Sequence, residues 1–247
     1  DSLVAKTIVK FPALIGCTLR ENLKPKVLWL QELGIKEPQV VKMIAKFPQL
    51  MGYSLEGNLK PMVQWLKELG MDDSQVAKTI ANHPQLMSYS LEENLKPKVQ
   101  WLNELGMDDS QVAKTVTTFP RLLGSYSLEE NLKPKVLWLK ELGMDDTQVA
   151  KTITSFPPLM GCSLEENLKP KMKSLREHGF TDKHLVEVLS KFPALLGYSS
   201  KRLEHRIGVL ESLEVLGSLE ESIAEQLHGV DRCDLLGTFR ALRQKKK

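Results

Sequence analysis

The sequence predicts an all-α solenoid of about six repeats, each about 36 residues long and built as helix, turn, helix, short 3₁₀ turn. Three recurring features predict it. A Phe-Pro or His-Pro pair ends at Pro12, Pro48, Pro84, Pro120, Pro157 and Pro193, in steps of 36, 36, 36, 37 and 36 residues. A second proline, in Asn-Leu-Lys-Pro, stands at Pro25, Pro61, Pro97, Pro134 and Pro170 with the same steps. A Leu-Gly stop follows at Gly34, Gly70, Gly106 and Gly143, and becomes His-Gly at Gly179. The single extra residue lies in Gly124-Ser125-Tyr126-Ser127.

Residues 90–124 serve as the type unit. Ser90 and Glu93 form a capping-box pattern at the start of the first helix, repeated by Thr18/Glu21, Ser127/Glu130 and Ser163/Glu166 and broken by Gly57 and Arg202. Leu91, Leu95, Val99, Leu102 and Leu105 follow at helical spacing, and Gly106 is placed to stop the helix. Pro97 falls inside this stretch, where a proline loses a hydrogen bond and presses on the preceding turn. Either every copy bends there or regular helix starts late, near Asn94; the unbroken apolar stripe favours the bend. The second helix begins at Asp108 or Asp109, with acids at its positive end. It carries Val112, Val116 and Phe119 on its apolar side and ends before Pro120. Leu122-Leu123-Gly124 has room for one tight turn.

Neither helix can bury its stripe alone, so stacked neighbours must share a core. Trp29, Trp65, Trp101 and Trp138 occupy one slot, four residues after the helix proline, and are expected in or near that core. Ser174 and Leu210 take the slot in the last two copies, and Arg206 replaces the final proline, as in a degenerate end copy. The array is expected over residues 1–217, with copies starting near 18, 54, 90, 127, 163 and 199 after a partial copy. Residues 218–247 are expected to form a C-terminal cap and a basic tail containing Arg240, Arg243 and Lys245 to Lys247. The chain opens at Asp1, mid-pattern, and is expected to be a fragment or processed form from which a targeting peptide could have been removed.

Composition narrows the function. Of 247 residues 42% are hydrophobic and 26% charged, an ordinary globular balance, and a net charge of +3 selects no partner class by itself. No run of 18 apolar residues marks a membrane span. Cys17, Cys162 and Cys233 are odd in number and far apart, which reads as inert thiols in a reduced compartment. His83, His178, His184, His205 and His228 form no metal-ligand pattern, and no phosphate-binding glycine loop occurs, so neither cofactor nor metal nor catalysis is expected. His83 stands where the other copies have phenylalanine and is expected to be packed or half-exposed.

The motif Phe-Pro-x-Leu-x-Gly-x-Ser-Leu-Glu-x-Asn-Leu-Lys-Pro-x-Val-x-Trp-Leu-x-Glu-Leu-Gly resembles the repeat of the mitochondrial transcription termination factor family, mTERF, over about residues 1–217. The resemblance implies an α-α-3₁₀ superhelix of mitochondria or chloroplasts. It implies double-stranded DNA binding through a basic groove to regulate organellar transcription. For some members it implies instead action on RNA or on ribosome assembly through protein partners. The copies here are unusually alike, so no base-reading residue carries over from the motif.

One face stands out when the copies are compared. Opposite the apolar side of the second helix lie Gln39-Lys42-Lys46, Gln75-Lys78-Asn82, Gln111-Lys114-Thr118 and Gln148-Lys151-Ser155, with Lys6 and Lys10 from the partial copy. In these copies the stripe carries no acid. Stacked copies would turn Lys6, Lys42, Lys78, Lys114 and Lys151 into a row able to follow a polyanion. Lys10, Lys46 and Arg121 join them as candidate nucleic-acid contacts, while Lys46, Asn82, Thr118, Ser155 and Arg121 are the positions able to differ from site to site. A second row on the first helix, Lys24/Lys26, Lys60, Lys96/Lys98, Lys133/Lys135 and Lys169/Lys171, shares its helix with glutamates and reads mainly as internal charge pairing. The alternative is a protein-interaction scaffold docking through turn residues such as Met51, Met87 and Met160 or through the irregular C-terminal copy.

Overall fold

The computed structural model describes residues 3–16 and 18–215, and among them every regular element is helical. The helices are α1 (Leu3–Lys10), α2 (Lys24–Glu32), α3 (Glu37–Lys46), α4 (Lys60–Glu68), α5 (Asp73–Asn82), α6 (Lys96–Glu104), α7 (Asp109–Thr118), α8 (Arg121–Gly124), α9 (Lys133–Glu141), α10 (Asp146–Ser155), α11 (Lys169–Glu177), α12 (Asp182–Lys191) and α13 (Ser200–Val215). Cys17 and the expected cap and basic tail lie outside the described residues. The chain divides into two compact units, Asp1–Leu128 and Glu129–Lys247, the first holding α1 to α8 and the second α9 to α13.

Each copy's first helix opens in an unusual way. Before α6, residues Leu91–Leu95 make one wide π-turn: the Leu95 N–H donates to Ser90 O at 3.1 Å and the Lys96 N–H to Leu91 O. The same turn precedes α2, α4, α9 and α11. Regular α-helix therefore starts at Lys96, with Pro97 as its second residue. The bend suggested by the stripe is replaced by this widening, which relieves the ring's clash with the carbonyl a turn earlier. The stripe persists because the wide turn is still helical, and Leu95, Val99, Leu102 and Leu105 are all buried. Ser54, Ser90 and Ser163 each accept from the N–H three residues on, so Gly57 leaves the cap intact, since only its backbone is needed.

The turn between helices follows from Gly106, whose φ of +89° suits glycine alone. Gly106 N–H donates to Asn103 O and Met107 N–H to Leu102 O, closing the helix end with buried Met107 folded back on buried Leu102. Asp72, Asp108 and Asp145 then cap α5, α7 and α10, accepting from the N–H of Gln75, Gln111 and Gln148 while those glutamine side chains reach back. After each pre-proline residue comes a 3₁₀ turn, as in Pro48–Gly52, Pro84–Ser88 and Pro157–Gly161. The copy with the inserted residue departs from this: there the turn is α8, closed by Ser125 N–H on Arg121 O at 2.9 Å.

The four tryptophans are 7–9% exposed, which makes them core residues. Met51, Met87 and Met160 are at most 3% exposed, so they belong to the core too and are withdrawn as docking positions.

The core also contains cations that the sequence pattern places on the surface. Lys26, Lys98, Lys135 and Lys171 are buried, at 3–5% exposure. The Lys98 ammonium donates to Asn94 Oδ1 (2.7 Å) and to the carbonyl of Leu123 in its copy's final turn (2.5 Å). Lys171 repeats this with Asn167 and Leu196, both at 2.6 Å, and Lys26 with Asn22 and Met51. Each clasp ties a first helix to the short turn that closes the same copy. Met62 fills the slot in one copy, and Asn58 there is exposed. We therefore expect Lys98→Met to change stability by less than about 1.5 kcal/mol. Lys98→Ala, which empties the slot, should cost roughly 2 kcal/mol or more. Urea denaturation of the two variants checks this, and equal destabilisation would mean that the hydrogen bonds outweigh the packed stem. Burial holds the Lys98 ammonium below its usual value of 10.5, so the folded chain releases that proton before the unfolded chain does. Relative to Lys98→Met, the wild type should thus gain stability as pH climbs toward 10.5.

Candidate nucleic-acid interface

Second helices pack directly on one another from copy to copy: α1 on α3, α3 on α5 and α5 on α7 in the first unit, and α10 on α12 in the second. A slot repeated on these helices is therefore repeated on adjacent elements within a unit. Lys6, Lys42, Lys78 and Lys114 occupy such a slot in the first unit and Lys151 in the second, and all five are exposed. Among the described residues none of the five makes an ion pair.

Their neighbours on the stripe are engaged. Gln75, Gln111 and Gln148 close capping boxes, and Thr118 Oγ1 donates to Lys114 O at 2.8 Å. Lys10 donates to Ala45 O at 3.2 Å and Lys46 to Asn82 O at 2.7 Å, each ammonium sitting at the C-terminal carbonyls of the next copy's second helix. On this stripe the three glutamines are tied into caps, while Asn82 and Ser155 stay exposed beside the ladder lysines.

The first-helix row behaves differently. Lys60, Lys96, Lys133 and Lys169 pair with Glu56, Glu92, Glu129 and Glu165 one turn earlier. The acids at the second-helix starts are also engaged, Asp73 with Lys67 (2.6 Å), Asp146 with Lys140 and Asp182 with Arg176 (2.7 Å). The internal charge pairing expected for that row is what the geometry shows at these positions.

Lys46 and Arg121, 75 residues apart in sequence, line one cleft of about 330 Å³ in the first unit, together with His83, Gln85, Tyr89 and Ser125. Sequence reasoning names the two cations separately and misses the cleft. The signal was available: His83 replaces phenylalanine, and the one inserted residue falls beside Gly124. A Cβ at Gly124 would stand 2.4 Å from the Tyr89 ring, so any larger residue there needs that ring to move. Likewise, Met62 in the lysine slot was the hint that the slot is buried.

Among the described residues, no helix is long and apolar enough to cross a membrane. A family model described as mTERF matches residues 1–225 of the chain. No curated protein matched it.

Proposed function

The chain belongs to the mTERF family, and we propose that it binds double-stranded DNA through the lysine face of its second helices, regulating transcription in a mitochondrion or chloroplast. Family membership points to a nucleic-acid-binding helical-repeat protein of organellar gene expression. One observation supports the finer reading. Among the described residues the ladder cations Lys42, Lys78, Lys114 and Lys151 are exposed and make no ion pair, whereas Lys60, Lys96, Lys133 and Lys169 on the first helices pair with Glu56, Glu92, Glu129 and Glu165. Cations repeated at one slot on helices that pack together within a unit suit a backbone of regularly spaced phosphates, whose counterions they displace. Such contacts position a protein and carry little sequence information, so modest sequence preference is expected.

Titration of the chain with duplex DNA, duplex RNA and single strands of one length, followed by fluorescence anisotropy at fixed salt, tests the proposal. Duplex DNA should bind tightest. Tighter binding of duplex RNA would reassign the target, and no binding to any of them would leave the protein-scaffold reading in its place.

A further inference from the structure

The Lys46–His83–Arg121 cleft is where the repeat breaks its own rules. Lys46 comes from one copy, His83 from the next and Arg121 from the one after. In the six copies the His83 position is otherwise phenylalanine, and the Arg121 position is otherwise alanine, glutamine or proline. The single inserted residue converts the local 3₁₀ turn into α8 and places Ser125 on the cleft wall. In an array this uniform, three departures converging on one cleft mark it as built for something that the other copies do not do.

Its chemistry is that of an anion site. Among the described residues that line it, none is a carboxylate. Lys46 uses one N–H on Asn82 O and keeps two, and Arg121 brings a guanidinium fork. Among the described residues, His83 Nδ1 is shut off from solvent and has no hydrogen-bond partner. An orphaned buried acceptor is better tolerated than an orphaned buried donor, which favours the neutral tautomer with its proton on Nε2. Burial first, and then Lys46 and Arg121, lower the His83 pKa below its usual 6.5. Two cations facing a histidine with no acid between them leave a positive field that an anion would neutralise. A volume of about 330 Å³ lies at the small end of ligand sites.

We infer that this cleft binds one phosphate group, held by Lys46, Arg121 and the His83 ring, and that in the DNA-bound protein this is a backbone phosphodiester anchoring the duplex at one fixed place along the array. The inference rests on the proposed duplex binding for the source of the phosphate; a free phosphate monoester offers the same oxygens. Along the array, this cleft would therefore be the discrete anchor, while the ladder supplies interchangeable contacts.

The test uses the full chain, with His83 ring signals assigned in NMR spectra by their disappearance in His83→Phe, the residue of the other copies. Inorganic phosphate should shift those signals saturably and raise the ring's pKa, because the bound anion reverses the effect of the two cations. A duplex DNA should produce the same shift. Arg121→Gln, which places the residue of the two preceding copies there, should weaken both effects by about tenfold, and Arg121→Lys should restore part of the binding. If duplex binds in anisotropy but leaves the His83 signals and the Arg121→Gln affinity unchanged, the inference fails and duplex binding stands. If phosphate shifts His83 but no duplex binds, the duplex reading fails and the cleft is a site for free phosphate. If neither probe moves the His83 signals, the anion site is overturned.

Discussion

Leu102→Ala is expected to destabilise the protein by about 2–5 kcal/mol, while Gln100→Ala, two residues away, should stay within about 0.5 kcal/mol. Both lie on α6, and helix phase separates them. Leu102 is fully buried, and its carbonyl also accepts the Met107 N–H that closes the helix. Gln100 is exposed and donates to Glu104 Oε1 at 2.9 Å on the same helix. The slot is a core position throughout the array: the matching leucines Leu30, Leu66 and Leu139 are equally buried in their copies. For a chain of this length each kcal/mol moves the melting temperature by roughly 2–4 °C. Thermal melts of the two variants decide the point: equal melting temperatures would mean that the helix phase is wrong.

Changing Lys42, Lys78, Lys114 and Lys151 together to glutamine should weaken binding to every duplex alike, on the order of a hundredfold at moderate salt. A uniform effect is expected because phosphate contacts do not read bases. The helix content seen by circular dichroism should not change, since all four side chains are exposed and none makes an ion pair among the described residues. The matched control changes Lys60, Lys96, Lys133 and Lys169. Those exposed pairs with glutamates one turn away contribute little to stability, and removing them should leave duplex affinity close to wild type. A control that binds weakly while the ladder variant binds normally would move the interface to the first helices.

Much of this fold was legible because a repeat states each rule several times. The prolines, the Leu-Gly stop and the apolar spacing fixed the helices, the positive-φ glycines and the burial of tryptophan. Two things were not legible, for different reasons. The π-turn ahead of Lys96 closes its hydrogen bonds over one more residue than an α-turn, yet the four-residue steps from Leu91 to Leu95 to Val99 fit either geometry. The buried lysines hid because a lysine next to a proline on a helix with glutamates looks like any solvated cation. Its true partner, the carbonyl of Leu123, is 25 residues away in the chain. The same distance effect governs the candidate site. Lys46 and Arg121 could be named from sequence, yet only stacking of three successive copies brings them onto one cleft with His83. The ladder itself was visible, whereas the capping role of Gln75, Gln111 and Gln148 was obscured by their place on the lysine stripe.

The salt dependence of duplex binding tests the central claim most directly. Affinity measured across a range of salt for the wild type and for the four-lysine variant should give two straight lines on logarithmic axes. The variant's slope should be shallower by about 0.9 for each phosphate it no longer neutralises. Parallel lines of equal slope, or a duplex affinity indifferent to salt, would contradict binding through the second-helix lysines.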